Sequence, residues 1–359
     1  MTEQATEGTA KRSSPAKMAA RIVIALVLIV LIFWYLLKDI SLADVWAAIT
    51  AMSWVELVGL AVVAGWNLCT YAFVWMTVTP GLGFGRAMLM TQATTAITNT
   101  VPAGSAIGIG MTYAMLHSWG FSRSRTTIAV LVSGVWNAFA KLAIPVLALA
   151  LVALQGDASA ARITAAAFGI GGLIAAIVIF ALMLRSEHMA ERVGVVAGRV
   201  TSRLLALVRR PPVQGWEIAT VKFRNRTVDL LEHGWFPITA ATVVSHLSLY
   251  LVLLVCLRDV GVSDAEVGWA EVLAVFAFAR LATAVPITPG GAGLVEAVLI
   301  TGLTAAGGDK AQVVAAVLVY RALTWGLPVL VGVVCLLWWR KQSLTAPAES
   351  ASSTGAARP

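Results

Sequence analysis

The chain has 359 residues, 59% of them hydrophobic and 12% charged, with a mean hydropathy of +0.85. Soluble domains carry about 25% charged residues, so the composition excludes a soluble globular protein and implies a polytopic membrane protein. The formal net charge is +8, but the placement of the basic residues says more than their sum.

The polar, small-residue-rich stretch 1–20 is expected to be a disordered cytoplasmic tail. The apolar run 22–37 follows it. No small-x-small cleavage site closes that run, so an uncleaved first span is expected rather than a signal peptide. Further spans of about 20 apolar residues are expected at 55–79, 126–154, 162–184, 236–257 and 311–339. Two other segments, 86–117 and 268–306, are apolar arms interrupted by proline and glycine. Arms of about 16 residues reach about 24 Å, against a hydrocarbon core of about 30 Å. Two re-entrant helical hairpins are therefore expected, giving an all-α protein with about six full spans.

With that topology, 19 of the 26 lysines and arginines fall on one side and 4 on the other. The rule that positive loops stay inside then puts both termini in the cytoplasm. The longest connection, 185–235, contains Met189, Val193, Val196, Val200, Leu204 and Leu207 at helical spacing, with Arg192, Arg199 and Arg203 on another face. An amphipathic helix on the cytoplasmic leaflet is expected there, ended by Pro211 and Pro212. The stretch 341–359 is expected to be a second disordered tail.

The two hairpins resemble each other. "NTVPAGSAIGIG" and "TAVPITPGGAG" both run Val-Pro into glycines, and each is followed by an apolar arm and a span containing a proline, Pro145 or Pro328. A duplicated unit is expected, 21–154 and 155–340. Each unit crosses three times, so the second copy is inverted: the first hairpin enters from the cytoplasm, the second from outside. Inverted repeats with broken helices near the midplane recur in transporters.

The apices comprise Pro102 and Gly104 in the first hairpin, and Pro286, Pro289, Gly290, Gly291 and Gly293 in the second. Irregular backbone at membrane depth survives only when buried in protein or lining a wet cavity. The glycines after Pro289 open a helix whose free N–H groups favour an anion, or they serve only as a turn. Intramembrane charge is rare and faces a cavity or a partner. Three cations lie in apolar segments: Lys141, with Asn137 one turn before it, Arg280, and Arg321 beside Tyr320. Glu296 is the firm acid. Arg280 and Glu296 flank the second apex symmetrically, so they pair with each other or act on a substrate. The surplus of about two positive charges calls for an external anion, and a phosphate headgroup is the natural candidate, with Asn99 adding a hydrogen bond. Cys69, Cys256 and Cys335 are isolated, and no metal, cofactor, nucleotide or nucleic-acid motif is present.

The run "PITPGGAGLVEAVLITGLTAAGG" followed by "AAVLVYRALTWGLPVLVG" resembles the flippase-like integral membrane domain of bacterial lysylphosphatidylglycerol synthases, over residues 20–340. The resemblance implies functional positions at Pro289, Gly290, Gly291, Gly293, Glu296, Tyr320 and Arg321. It also implies a lipid-translocating domain standing without its aminoacyl-transferring partner. The first hairpin departs from the family, lacking its acid and base, in a form similar to actinobacterial members. The expected function is a flippase for an anionic phospholipid or a polyprenyl-phosphate-linked lipid, not an enzyme. The alternatives are a non-transporting membrane partner of a lipid or glycan synthase or glycosyltransferase, a small-anion transporter, and an enzyme using Glu296 as base.

Overall fold

The computed structural model describes residues 42–101, 104–154, 160–207, 215–283 and 288–345. The expected first span, the tail 1–20, Pro211, Pro212 and the apical Pro102 and Pro286 lie outside the described residues.

Helices begin where the sequence supplies caps. After a short helix α1 (Leu42–Thr50), Ser53 caps α2 (Trp54–Val78) by a reciprocal pair with Glu56: the Ser53 N–H donates to Glu56 at 2.6 Å, and the Glu56 N–H to Ser53 Oγ at 3.4 Å. That exchange satisfies two N–H groups that a helix start leaves open. The first interrupted segment forms α3 (Phe84–Thr100) and α4 (Gly104–Ser118). Next come α5 (Arg123–Leu154), α6 (Ala160–Arg185), α7 (Glu187–Leu207) and α8 (Trp216–Asp259). The second interrupted segment forms α9 (Trp269–Ala282), a tight turn Pro289–Gly291, and α10 (Leu294–Ala305). Asp309 caps α11 (Lys310–Arg321) through the N–H groups of Ala311 and Gln312, both at 3.0 Å. A π-helical turn, Ala322–Gly326, joins α11 to α12 (Leu327–Thr345).

All regular structure among the described residues is helical, as the sequence predicted. Among the described residues, four helices are long and apolar enough to cross a membrane: Trp54–Val78, Arg123–Val152, Gly234–Asp259 and Lys310–Gln342. Two of them, α2 and α12, bear apolar faces that are exposed among the described residues. Val55, Val58 and Val62 on α2 are more than half exposed, as are Leu330, Val334 and Leu337 on α12. Such contiguous apolar surface suits contact with lipid.

Two expectations need correction. The connection 185–235 is mostly helix, and α8 is a single helix of 44 residues, about 66 Å long at 1.5 Å per residue. Nothing between Trp216 and Pro237 breaks it, so it runs on from the span beyond any bilayer core. Accordingly α7 packs along α8 in antiparallel fashion: Asn225 donates to Glu187 at 2.9 Å, and Gly198 lies against Trp216. α7 is itself the expected amphipathic helix, with Met189 and Val193 of its apolar stripe half-buried and Val196 and Val200 more than half exposed. At the other end, α12 continues to Thr345, five residues into the tail expected to be disordered, because no breaker precedes Pro347.

Packing between the segments is reciprocal. The first arm of the first hairpin, α3, lies chiefly on α12, the helix after the second hairpin. The first arm of the second hairpin, α9, lies on α5, the helix after the first. The two helices that precede the hairpins, α2 and α8, lie on each other. Within each hairpin the arms pack together, α3 on α4 and α9 on α10.

The α3–α12 seam is so close that a Cβ on Gly332 would overlap the Gln92 carbonyl oxygen and sit 2.6 Å from the Ala96 Cβ. We expect Gly332→Leu to force these helices apart at a cost of roughly 1–3 kcal/mol or more. This would be read as a lowered melting midpoint of the purified protein in detergent. Gly172→Ala, where nothing lies within 4 Å, should leave the midpoint unchanged or slightly raised.

Candidate functional site

The second apex is set by its glycines. Gly290, Gly291 and Gly293 have φ of +60°, +70° and +83°, values that residues with a Cβ rarely adopt. The Gly291 N–H donates to the Thr288 carbonyl at 3.2 Å, closing the turn. Gly290 also needs its missing side chain for space. A Cβ there would stand 2.6 Å from Trp325 Nε1 and 2.8 Å from Asn99 Oδ1. Asn99 belongs to the last turn of α3, so the first hairpin reaches the apex of the second at this glycine. In the first hairpin, the Gly104 N–H donates to the Val101 carbonyl at 2.8 Å.

Beyond the apex, α10 opens at Leu294 and carries Glu296 in its first turn. Glu296 is 4% exposed. Its Oε1 accepts from Arg321 Nε at 2.7 Å, and its Oε2 is buried without a partner. Arg321 ends α11 and lies 5.9 Å from the Trp325 ring centroid. The acid therefore pairs with Arg321 and not with Arg280, one of the two roles the sequence left open for those flanking charges. It also occupies the helix start that the glycines were expected to leave free for an outside anion, where a negative charge is favoured.

The π turn brings Trp325 to this place. It falls just before Pro328, whose ring lacks the N–H that the Thr324 carbonyl would take in a regular helix. The Leu327 N–H reaches back to the Ala322 carbonyl, and the Thr324 hydroxyl donates to the Tyr320 carbonyl at 2.7 Å. Single π turns of this kind recur at functional sites.

A second cluster adjoins the first. Lys141 on α5 donates from Nζ to the Thr283 hydroxyl at 3.1 Å, and that hydroxyl donates to the Arg280 carbonyl at 2.6 Å. Arg280 on α9 keeps a buried Nε with no partner. Its charge acts on Lys141, His246 and Tyr71, and Arg321 and Tyr320 act on it in turn. Among the described residues, no carboxylate lies within ion-pair distance of Lys141 or Arg280. Tyr71 on α2 is 40% exposed.

The geometry thus gathers Asn99, Gly290, Glu296, Arg321 and Tyr320 at the apex, with Lys141 and Arg280 beside them. Pro289 opens the apical turn, and Asn137 is half-buried one turn before Lys141. Sequence reasoning overlooked Tyr71, Thr283 and Trp325. The clue for Trp325 was its place four residues past Arg321. Tyr71 and Thr283 carry no comparable signal.

The fold and its charged interior define a helical membrane protein with broken helices at its centre. A family model described as "Lysylphosphatidylglycerol synthase TM region" matches residues 22–332. The chain belongs to that family, which gives it a function related to membrane lipids. No curated protein matches the chain.

The buried Glu296–Arg321 pair should hold the apex in place. Glu296→Leu or Arg321→Met alone leaves a buried charge without its partner, at about 3–5 kcal/mol. The double variant should lose less than the two single losses added together. Unfolding of the three variants in detergent measures this coupling.

Proposed function

We propose that the protein is a translocase for an anionic lipid in the bacterial cytoplasmic membrane, with both termini in the cytoplasm. The Lys141–Arg280 pair holds the phosphate. The carrying observation is that Arg280 Nε is buried without a partner while, among the described residues, Lys141 finds only a hydroxyl. Isolated buried cations are costly, and Arg321 has taken the nearby acid. Two positive charges are therefore left for an anion from outside the chain.

The hairpins supply the rest of the plan. Their four arms have 17, 15, 14 and 12 residues, about 18–25 Å at 1.5 Å per residue, short of a hydrocarbon core of about 30 Å. We read both hairpins as re-entrant. The reciprocal packing of α3 on α12 and α9 on α5 is the pattern expected of two inverted units. In such a pair the substrate sits at the unit interface, and here the apical contact of Asn99 with Gly290 marks that interface. The acyl or polyprenyl tail stays in the bilayer beside the exposed faces of α2 and α12. Transport fits the site better than chemistry, because Glu296, the one acid at the apex, is engaged by Arg321 and makes a poor base.

The test is translocation of fluorescent anionic lipids in proteoliposomes. A hydrogen bond to a charged group contributes about 1.5–3 kcal/mol. Arg280→Gln and Lys141→Gln should each slow translocation about tenfold or more, and the double variant should stop it. A double variant as fast as the wild type overturns the reading. Removing an unpartnered buried charge should not harm the fold, so Arg280→Met should melt at or above the wild-type midpoint. A clear fall would instead mark Arg280 as a structural residue.

A further inference from the structure

We infer that the apex beside Lys141 is a hydroxyl-binding subsite, and that the headgroup it receives is an uncharged polyol carried on the phosphate. This rests on the translocase reading and names the headgroup of its substrate. The subsite is centred on Gly290. Trp325 Nε1 and Asn99 Oδ1 stand 2.6 Å and 2.8 Å from the point where a Cβ on that glycine would sit. Arg321 Nη2 is 3.5 Å from the Gly290 carbonyl oxygen, at the edge of hydrogen-bond range, while Arg321 Nε holds Glu296 Oε1 at 2.7 Å. Side chains from α3, α10, α11 and the π turn thus meet around one stretch of backbone.

Their polar atoms do not match one another. Trp325 Nε1, which only donates, is buried without a partner among the described residues. The carboxylate oxygen Glu296 Oε2 is also buried without one, on a residue that is 4% exposed. The hydroxyl of Thr288, two residues before Gly290, is a third such group. A ligand that completes the set must both accept and donate, and a hydroxyl group does both. Charge points the same way. The pairing of Glu296 with Arg321 already balances the apex. An ammonium would donate to Glu296 Oε2 but would leave Trp325 Nε1 unmet and stand beside Arg321. A second phosphate would accept from Trp325 but would face the Glu296 oxygen. Neighbouring hydroxyls on a polyol serve both groups and add no charge.

The subsite adjoins the cation proposed to hold the phosphate. A Cβ on Gly291, the next residue of the turn, would lie 3.5 Å from Thr283 Cγ2, and Thr283 Oγ1 accepts from Lys141 Nζ at 3.1 Å. Thr283 therefore stands between Lys141 and the apical turn. A phosphate on Lys141 and a hydroxyl beside Gly290 are thus separated by little more than a threonine side chain, a gap that a short headgroup bridges. The apex is also narrow, since even a Cβ on Gly290 would press on Trp325 and Asn99. That favours a small, flexible polyol such as glycerol. The same chemistry is offered by a glycerol-headed phospholipid and by the free phosphodiester without tails, and the test separates them.

The experiment measures binding to the purified full-length protein in detergent, by competition against labelled phosphatidylglycerol. The competitors are phosphatidylethanol and phosphatidylethanolamine with the same acyl chains, and free glycerophosphoglycerol. Phosphatidylethanol has the charge of phosphatidylglycerol and lacks only the headgroup hydroxyls. Wild type should bind phosphatidylglycerol about tenfold more tightly than phosphatidylethanol, the loss expected when a buried donor or acceptor stays unmet. Trp325→Phe, which keeps an aromatic ring and removes the N–H, should erase most of that preference; an undiminished preference overturns the apex as its seat. The wild-type comparison stands without any variant. Equal binding of phosphatidylglycerol and phosphatidylethanol, abolished in Lys141→Gln/Arg280→Gln, overturns the polyol and leaves the translocase reading intact. Tighter binding of phosphatidylethanolamine assigns Glu296 to an ammonium and overturns the polyol in the same way. Binding that does not depend on Lys141 and Arg280 overturns the translocase reading and this one with it. Glycerophosphoglycerol bound as tightly as phosphatidylglycerol upholds the hydroxyl chemistry and overturns the lipid as its source.

Discussion

An ion has almost no place in hydrocarbon, and the inner architecture of this protein follows from that cost. A buried acid and base hold together only when they meet at short range with good geometry. Arg321 and Glu296 do so at 2.7 Å, with 14% and 6% of their side chains exposed. That contact fixes the start of α10 against the end of α11. It draws Trp325 over the apical glycine and leaves no acid for Arg280 or Lys141. The pair is thus both a clamp for the broken helix and the reason a positive pocket persists beside it.

The irregular backbone is confined in the same way. Gly290 is wedged between Trp325 and Asn99, so the part of the second hairpin least able to satisfy itself is covered by the other hairpin and by α11. The π turn at Ala322–Gly326 does comparable work on α11, since it absorbs the N–H missing at Pro328 and carries an indole to the apex. Each departure from helical geometry thus lies against another, at the place where the charges sit. Around this centre the outward faces of α2 and α12 are plain apolar surface.

Much of this was legible in the sequence because charge, proline and glycine stand out in apolar runs. The long helices, the two interrupted segments, the apical glycines, and Lys141, Arg280, Glu296 and Arg321 were all visible as residues that do not belong in lipid. Pairing was not visible. Position along the chain places Arg280 and Glu296 symmetrically about the apex, but partners are chosen between helices, and it is Arg321 of α11 that meets Glu296. Tyr71 is an ordinary residue on an apolar helix, and only folding brings it to Arg280. The 44-residue α8 was missed for the opposite reason. Its first half is polar, and hydropathy marks where a helix enters the membrane rather than where it begins.

The buried groups that lack partners follow a pattern with a physical consequence. Glu296 Oε2, Trp325 Nε1 and the Thr288 hydroxyl cluster at the apex, while Arg280 Nε and His246 Nε2 lie at the adjoining pocket. Each such group costs about 1–3 kcal/mol when left unmet, and a stable core does not usually collect several in one place. Those at the apex lie beside the contact of Asn99 with Gly290, where water or a headgroup would satisfy them if the hairpins separated. The closed arrangement is therefore held by the Arg321–Glu296 pair and the close α3–α12 seam against a standing cost at its centre. On the translocase reading proposed above, a ligand that offers the missing partners replaces a cost already present.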